Sequence, residues 1–127
     1  MEWRFKEGIP IYQQIISELK LRLLNGTYPP GSRIPAVREL ALEAGVNPNT
    51  MQRALLELER DDLLASVRTS GRFATEDEEK LSKLRSTLSE SCIKEMTGRL
   101  RTLGLTDKEI MDAVNRYLTR GAGEAES

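Results

Sequence analysis

The side chains with chemistry to offer in this 127-residue chain are amides and guanidinium groups rather than acid–base or metal-binding residues. Asn47, Asn49, Thr50, Gln52 and Arg53 cluster together, Arg38 stands upstream, and Arg68, Thr69, Gly71 and Arg72 follow. A side-chain amide can pair bidentately with N6 and N7 of adenine in the DNA major groove, and a guanidinium can clamp a phosphate or reach a guanine. Histidine is absent and Cys92 is the only cysteine. That removes most zinc sites, Ser-His and Cys-His nucleophile systems, and histidine proton transfer in one step. Carboxylates alone could make a glycosidase-like pair, but no cleft-forming length of chain surrounds one. The composition therefore predicts a protein that is not an enzyme and needs no metal or cofactor.

Amides and arginines read DNA only if rigid elements present them together. From Ile11 to Leu24, Tyr12, Ile15, Ile16, Leu19 and Leu23 recur at the steps of an amphipathic helix, which Asn25-Gly26 and then Pro29-Pro30-Gly31 bring to an end. A second helix is predicted over residues 36–44, with Val37, Leu40, Ala41 and Ala44 inward and Arg38 outward, ended by Gly45. Asn47 is placed to cap a third helix, over residues 48–61, and Pro48 sits in its first turn, where a missing N–H does no harm. Met51, Ala54, Leu55 and Leu58 form its buried stripe, leaving Asn49, Gln52, Arg53 and Leu56 outward. Arg53 can pair with Glu57 one turn on.

Residues 64–68 and 72–74 read as two short strands joined across Thr69-Ser70-Gly71. Thr75 and Glu78 have the spacing of a capping box opening a long helix, whose narrow apolar seam is Leu81, Leu84, Leu88, Cys92, Met96, Leu100 and Leu103. Thr106 and Glu109 repeat the box before a last helix carrying Ile110, Val114, Tyr117 and Leu118 and ended by Gly121. The fold class is therefore mainly α. Three helices and a two-stranded wing make a winged helix-turn-helix over residues 1–75, a two-helix dimerisation segment follows over 76–120, and a disordered acidic tail occupies 121–127.

The formal net charge of -1 is unusual for a nucleic-acid binder, because DNA affinity comes largely from neutralising phosphates. The residues through Thr75 nevertheless carry a slight excess of basic groups, and where those lie matters more than the sum. No apolar run approaches the length of a membrane span, so no membrane partner is expected and the chain reads as cytoplasmic. A lone Cys92 excludes a disulfide within the chain and suits a reducing compartment.

In a helix-turn-helix, the N-terminal residues of the second helix reach base edges. The segments Pro10-Ile11-Tyr12-Gln13-Gln14-Ile15, Pro30-Gly31-Ser32-Arg33-Ile34-Pro35, Val37-Arg38-Glu39-Leu40-Ala41 and Gly45-Val46-Asn47-Pro48-Asn49-Thr50 resemble, in order, the N-terminal domain of GntR-type transcriptional regulators. The short two-helix remainder resembles the YtrA subfamily. The resemblance implies a homodimeric repressor of a local operon, such as a transporter operon, bound to a palindromic operator. It implies DNA contact at Arg38, Asn47, Asn49 and Gln52, with the wing near the minor groove; Thr50 and Arg53 on the same helix, and Arg68, Thr69, Gly71 and Arg72 at the wing, complete the expected DNA-binding residues. Three positions depart from the pattern. Ala36 stands where a capping serine is frequent, Pro48 where an arginine is, and Thr69 where the first wing glycine is, which puts entry of this wing into the minor groove in question.

The seam of the long helix needs a partner, and a second copy supplies one. Leu81, Leu84, Leu88, Cys92, Met96, Leu100, Ile110, Val114 and Tyr117 are the expected dimerisation residues. An effector, where the chain takes one, has to bind between subunits or at the hinge, since some fifty residues cannot enclose a deep pocket. The outward Leu56 and the net charge leave a second reading open, a winged-helix module that binds protein without specific DNA recognition.

Overall fold

The computed structural model describes residues 3–124, with side chains through 121. Five helices and one hairpin follow in the order α1 (Ile11–Leu24), α2 (Val37–Ala44), α3 (Pro48–Arg60), β1 (Leu64–Val67), β2 (Gly71–Ala74), α4 (Glu78–Thr102) and α5 (Asp107–Glu124). They form two compact units, residues 1–85 and 86–127, and the division falls inside α4.

In the first unit α3 packs against both α1 and α2. Ile15 and Leu19 of α1, Leu40 of α2, and Met51, Leu55 and Leu58 of α3 meet in one core. Burying a side chain of this size contributes about 1.5–3 kcal/mol, so this cluster fixes the angle at which α3 is presented. Gly45 closes α2 in the left-handed conformation at φ 70, which leaves only Gly45, Val46 and Asn47 between α2 and α3. Ala36 makes no side-chain cap at the start of α2, as a methyl group must.

The hairpin is antiparallel, with Leu64 opposite Ala74 and Val67 opposite Gly71. Gly71 is the first residue of β2 rather than part of the turn, and Arg68 leaves β1, so the tip is Arg68-Thr69-Ser70. At φ +102 Gly71 starts the strand in a conformation that other residues resist. A third extended segment lies along β2. Arg33 bridges Phe73, the N–H of Ile34 donates to the Arg72 carbonyl, and the N–H of Ala74 donates to the Ser32 carbonyl.

The entry to α4 differs from expectation. Asp77 is the cap, its Oδ1 accepting from the N–H groups of Glu79 and Lys80 at 3.0 and 3.2 Å, while Thr75 Oγ1 accepts from the Asp77 N–H. The helix thus begins at Glu78. A carboxylate is as good a cap as a threonine, and the backbone N–H of Thr75 donates to the carbonyl of Leu63, just before β1, which holds Thr75 outside the helix. Leu81 is 4% exposed in the core of the first unit and Leu84 packs against that core. Both were expected at a subunit seam. The first turns of α4 instead belong to the winged domain.

In the second unit the Thr106–Glu109 capping box is complete in both directions, at 2.8 and 3.2 Å. Ile110 is buried and Val114 half-buried. The last helix runs past Gly121 to Glu124, because Gly121 does not take the positive φ that ends a helix and costs only about 1 kcal/mol inside one. The disordered-tail expectation otherwise falls on residues 125–127, outside the described residues. No helix among the described residues is long and apolar enough to cross a membrane.

Candidate nucleic-acid interface

The N-terminus of α3 is built by Asn47. Its Oδ1 accepts from the Asn49 N–H at 2.7 Å, satisfying one of the donors that a helix start leaves orphaned, and Pro48 follows in the first turn. Asn49 is exposed beyond this cap, Thr50 and Gln52 are half-buried, and Arg53 is exposed. With Met51, Ala54, Leu55 and Leu58 all fully buried, these polar groups are carried on a helix that cannot rotate about its own axis without opening the core.

The arginines divide into two kinds. Arg38 at the start of α2 and Arg68 at the wing tip are exposed, and neither guanidinium has an ion pair among the described residues. Arg53 does not pair with Glu57. It lies over the Tyr12 ring at 3.7 Å, while Glu57 binds Arg60. Tyr12 thus both packs α1 on α3 and holds Arg53 in place, by the attraction of a cation to a ring face. Arg72 is drawn inward. Its Nη2 donates to Gln52 Oε1 at 3.3 Å and to Glu59 Oε2 at 3.5 Å, with its side chain 17% exposed. Thr69 is exposed at the tip, and Gly71 lies behind it at the start of β2.

Arg33 is a further exposed cation that sequence reasoning passed over. A Cβ built on Gly71 would lie 3.0 Å from Arg33 Nε, so the side chain of Arg33 lies across the bare backbone of Gly71. The motif around Arg33 was visible in the sequence. Its pairing with β2, some forty residues away, was not.

Arg22 was also missed, although it does not face the interface. It is 2% exposed and donates to Glu18 at 3.0 Å, to the Tyr28 hydroxyl at 2.8 Å and to Glu43 of α2 at 3.0 Å. Trp3 covers it at 4.5 Å and also donates to Glu43. Burial works to lower the pKa of the guanidinium, but the hydrogen bonds it donates to Tyr28, Glu18 and Glu43 outweigh it and raise it. Burial likewise raises the Tyr28 phenol, against the opposing bond from Arg22. This network ties the N-terminal arm and α1 to α2, and so supports the helix that precedes the recognition helix.

On the remaining stretch of α4, Leu88 and Leu100 are half-buried and Cys92 and Met96 exposed. Ile93, Leu103, Met111, Tyr117 and Leu118 are between 56% and 74% exposed. Among the described residues no group of histidine, cysteine or carboxylate side chains is arranged to hold a metal ion.

Residues 11–73 match the family described as bacterial regulatory proteins, gntR family. The chain is 32% identical to the HTH-type transcriptional regulator YhcF of Bacillus subtilis over 95% of its own length and all of that protein. It is 40% identical to the HTH-type transcriptional repressor YtrA of the same organism over 57% of this chain and 55% of that one. Among solved structures, a GntR family transcriptional regulator from Listeria monocytogenes superposes with a TM-score of 0.80 at 32% identity, covering 88% of this chain and 98% of that one. The DNA-binding domain of AraR, solved in complex with an operator, superposes at 0.55 with 29% identity, covering 59% of this chain and 96% of that one. These relatives are regulators rather than enzymes.

Proposed function

The chain belongs to the GntR family of DNA-binding transcriptional regulators, with YtrA-like relatives, and from that premise we propose that it is a cytoplasmic, homodimeric repressor of a nearby operon, a transporter operon being the first candidate, acting on a palindromic operator. The observation that carries this reading is the face shared by the start of α3 and the wing. There Asn49 and Gln52 stand on a helix locked into the core, and the exposed arginines Arg38 of α2, Arg68 of the wing tip and Arg33 beside β2 make no ion pair among the described residues. Amides on the major-groove helix supply base readout, and cations to either side supply phosphate contact. Asn47, whose Oδ1 is spent on the cap, keeps its NH2 for a phosphate. Arg53, held on Tyr12, offers its remaining N–H groups in the same way. Thr50 and the backbone of Thr69 and Gly71 complete the contact surface.

A slight net negative charge is compatible with this arrangement because the acidic excess follows Thr75, away in sequence from the helix and wing that meet DNA. The homodimer is supported by the apolar side chains left open on the second unit, Ile93, Met96, Leu103, Met111, Tyr117 and Leu118, alongside Leu88, Cys92 and Leu100. Exposed apolar surface of this extent marks an association site. Two chains related by a two-fold axis place two recognition helices on half-sites about one turn of DNA apart.

A footprint of the full chain over the promoter of its own operon tests this. Two protected half-sites of inverted sequence, centred roughly 10 base pairs or a multiple of that apart, are expected. Protection without sequence symmetry, or none at all, contradicts it.

A further inference from the structure

Arg72 was expected at a phosphate, and its position on the wing would suit that role, yet the structure gives it a different set of partners. It projects from β2 toward α3, on the same face of the hairpin as the buried Ala74. There it meets two residues of α3 that lie seven apart and so share one helix face: Gln52 through Oε1 at 3.3 Å, and Glu59 at 3.5 Å from both Nη2 and Nε. The side chains of Arg72 and Glu59 are 17% and 18% exposed. The Glu59 carboxylate neutralises the arginine where it stands, which leaves little of its charge for a phosphate.

Gln52 gains an orientation from this contact. A free glutamine amide can turn over, offering either its carbonyl oxygen or its NH2 to a base. A guanidinium only donates hydrogen bonds, so the oxygen has to face Arg72 and the NH2 has to face away. Among the described residues, Gln52 Nε2 has no partner within the chain. We propose that Arg72 is a positioning residue for base recognition, which locks the Gln52 amide with its NH2 toward the DNA so that Gln52 selects a base edge carrying an acceptor and rejects cytosine. Cytosine alone presents a donor and no acceptor at its major-groove edge, whereas adenine and guanine offer N7 and thymine offers O4. The second lone pair of Oε1 remains free to accept from adenine N6, so the bidentate adenine contact is reinforced rather than lost. Glu59 acts one step further back, holding the arginine that holds the amide.

The inference rests on Gln52 reading a base, and the test separates the two claims. The affinity of the full chain is measured on an operator set carrying each of the four bases at every half-site position, across a range of salt, for the parent and for Gln52→Ala, Arg72→Met, Arg72→Lys and Gln52→Ala/Arg72→Met. Gln52→Ala identifies the base pair that Gln52 reads, as the one where preference disappears. At that base pair alone, Arg72→Met and Arg72→Lys are expected to reduce the discrimination against cytosine from roughly tenfold or more toward unity. Neither is expected to change the salt slope, and neither has further effect once Gln52 is alanine. Arg72→Lys keeps the charge but replaces the fork that reaches Gln52 and Glu59 together with a single ammonium, which pairs with Glu59 and releases the amide, so it serves even where Arg72→Met folds poorly.

A uniform loss on all sequences with the salt slope lowered by about 0.9 would show a phosphate contact and overturn the proposal. So would unchanged discrimination in both Arg72 variants. If Gln52→Ala alters preference nowhere, the base-reading role of Gln52 falls first and the positioning role with it.

Discussion

Replacing Arg22 by methionine removes the guanidinium at the centre of the N-terminal network while keeping most of the side-chain volume. Three hydrogen bonds to charged or phenolic partners are lost, at 2.8 to 3.0 Å. Taken alone, bonds to charged groups contribute about 1.5–3 kcal/mol each. The full sum does not apply, because the side chains of Glu18 and Glu43 are 23% and 43% exposed and can recover water. Arg22 Nη2 is itself buried without a partner among the described residues, a cost that the substitution relieves. Replacing both partners of a buried pair by apolar groups is often neutral, but here only one is removed, and two partly exposed carboxylates lose the cation they share. The net expectation is a loss of about 2–3 kcal/mol for Arg22→Met. Arg22→Ala, which also deletes the stem packed under Trp3, should lose roughly 1 kcal/mol more. Urea unfolding followed by circular dichroism measures both. An Arg22→Met chain as stable as the parent would refute the idea that this network holds α2 in place.

Three further outcomes follow from particular residues. Asn47→Ala should cost about 1 kcal/mol by removing the cap on α3, and Asn47→Ser should recover most of it, as read by thermal unfolding of both variants. Asp62 holds the one positive φ among the described non-glycine residues, at 59°, and its exposed 3.7 Å pair with Lys80 is worth little. Asp62→Gly should therefore stabilise by roughly 0.5 kcal/mol, the relief of a strained conformation set against the greater freedom of glycine in the unfolded chain. The folded chain holds the Tyr28 proton more tightly than the unfolded chain does, so the stability this contributes is complete below the ordinary phenol value of about 10 and is lost as pH rises through the raised folded value. Unfolding free energy measured from pH 8 upward should fall above pH 10 in the parent and less steeply in Tyr28→Phe.

The helices were legible because their signals are local. Gly45, Asn47-Pro48 and the stripe of Met51, Leu55 and Leu58 fix the helix-turn-helix within a few residues, and α1 has the bounds that its periodicity requires. What escaped depends on residues far apart in sequence. The periodicity that placed Leu81 on an apolar seam cannot say which apolar surface covers it, and the winged domain does so before any partner chain can. Arg22 carries no sign of burial in its own helix, since the residues that surround it arrive from Trp3, Tyr28 and Glu43. Arg72 looked like a surface cation because Glu59 and Gln52 approach it only once β2 lies against α3. A one-residue error at the hairpin tip has a similar origin, for only the paired strands show that Gly71 belongs to β2 rather than to the turn.

Recognition of a particular DNA sequence by the start of α3 and the cations around it can be read by titrating the full chain, at low and at physiological salt, against a duplex of its own promoter and a random duplex of equal length. Binding to the promoter is expected to be at least ~10³-fold tighter than to random DNA at physiological salt, with both affinities falling steeply as salt rises. Equal affinity for the two duplexes, or affinity that salt does not change, would contradict it.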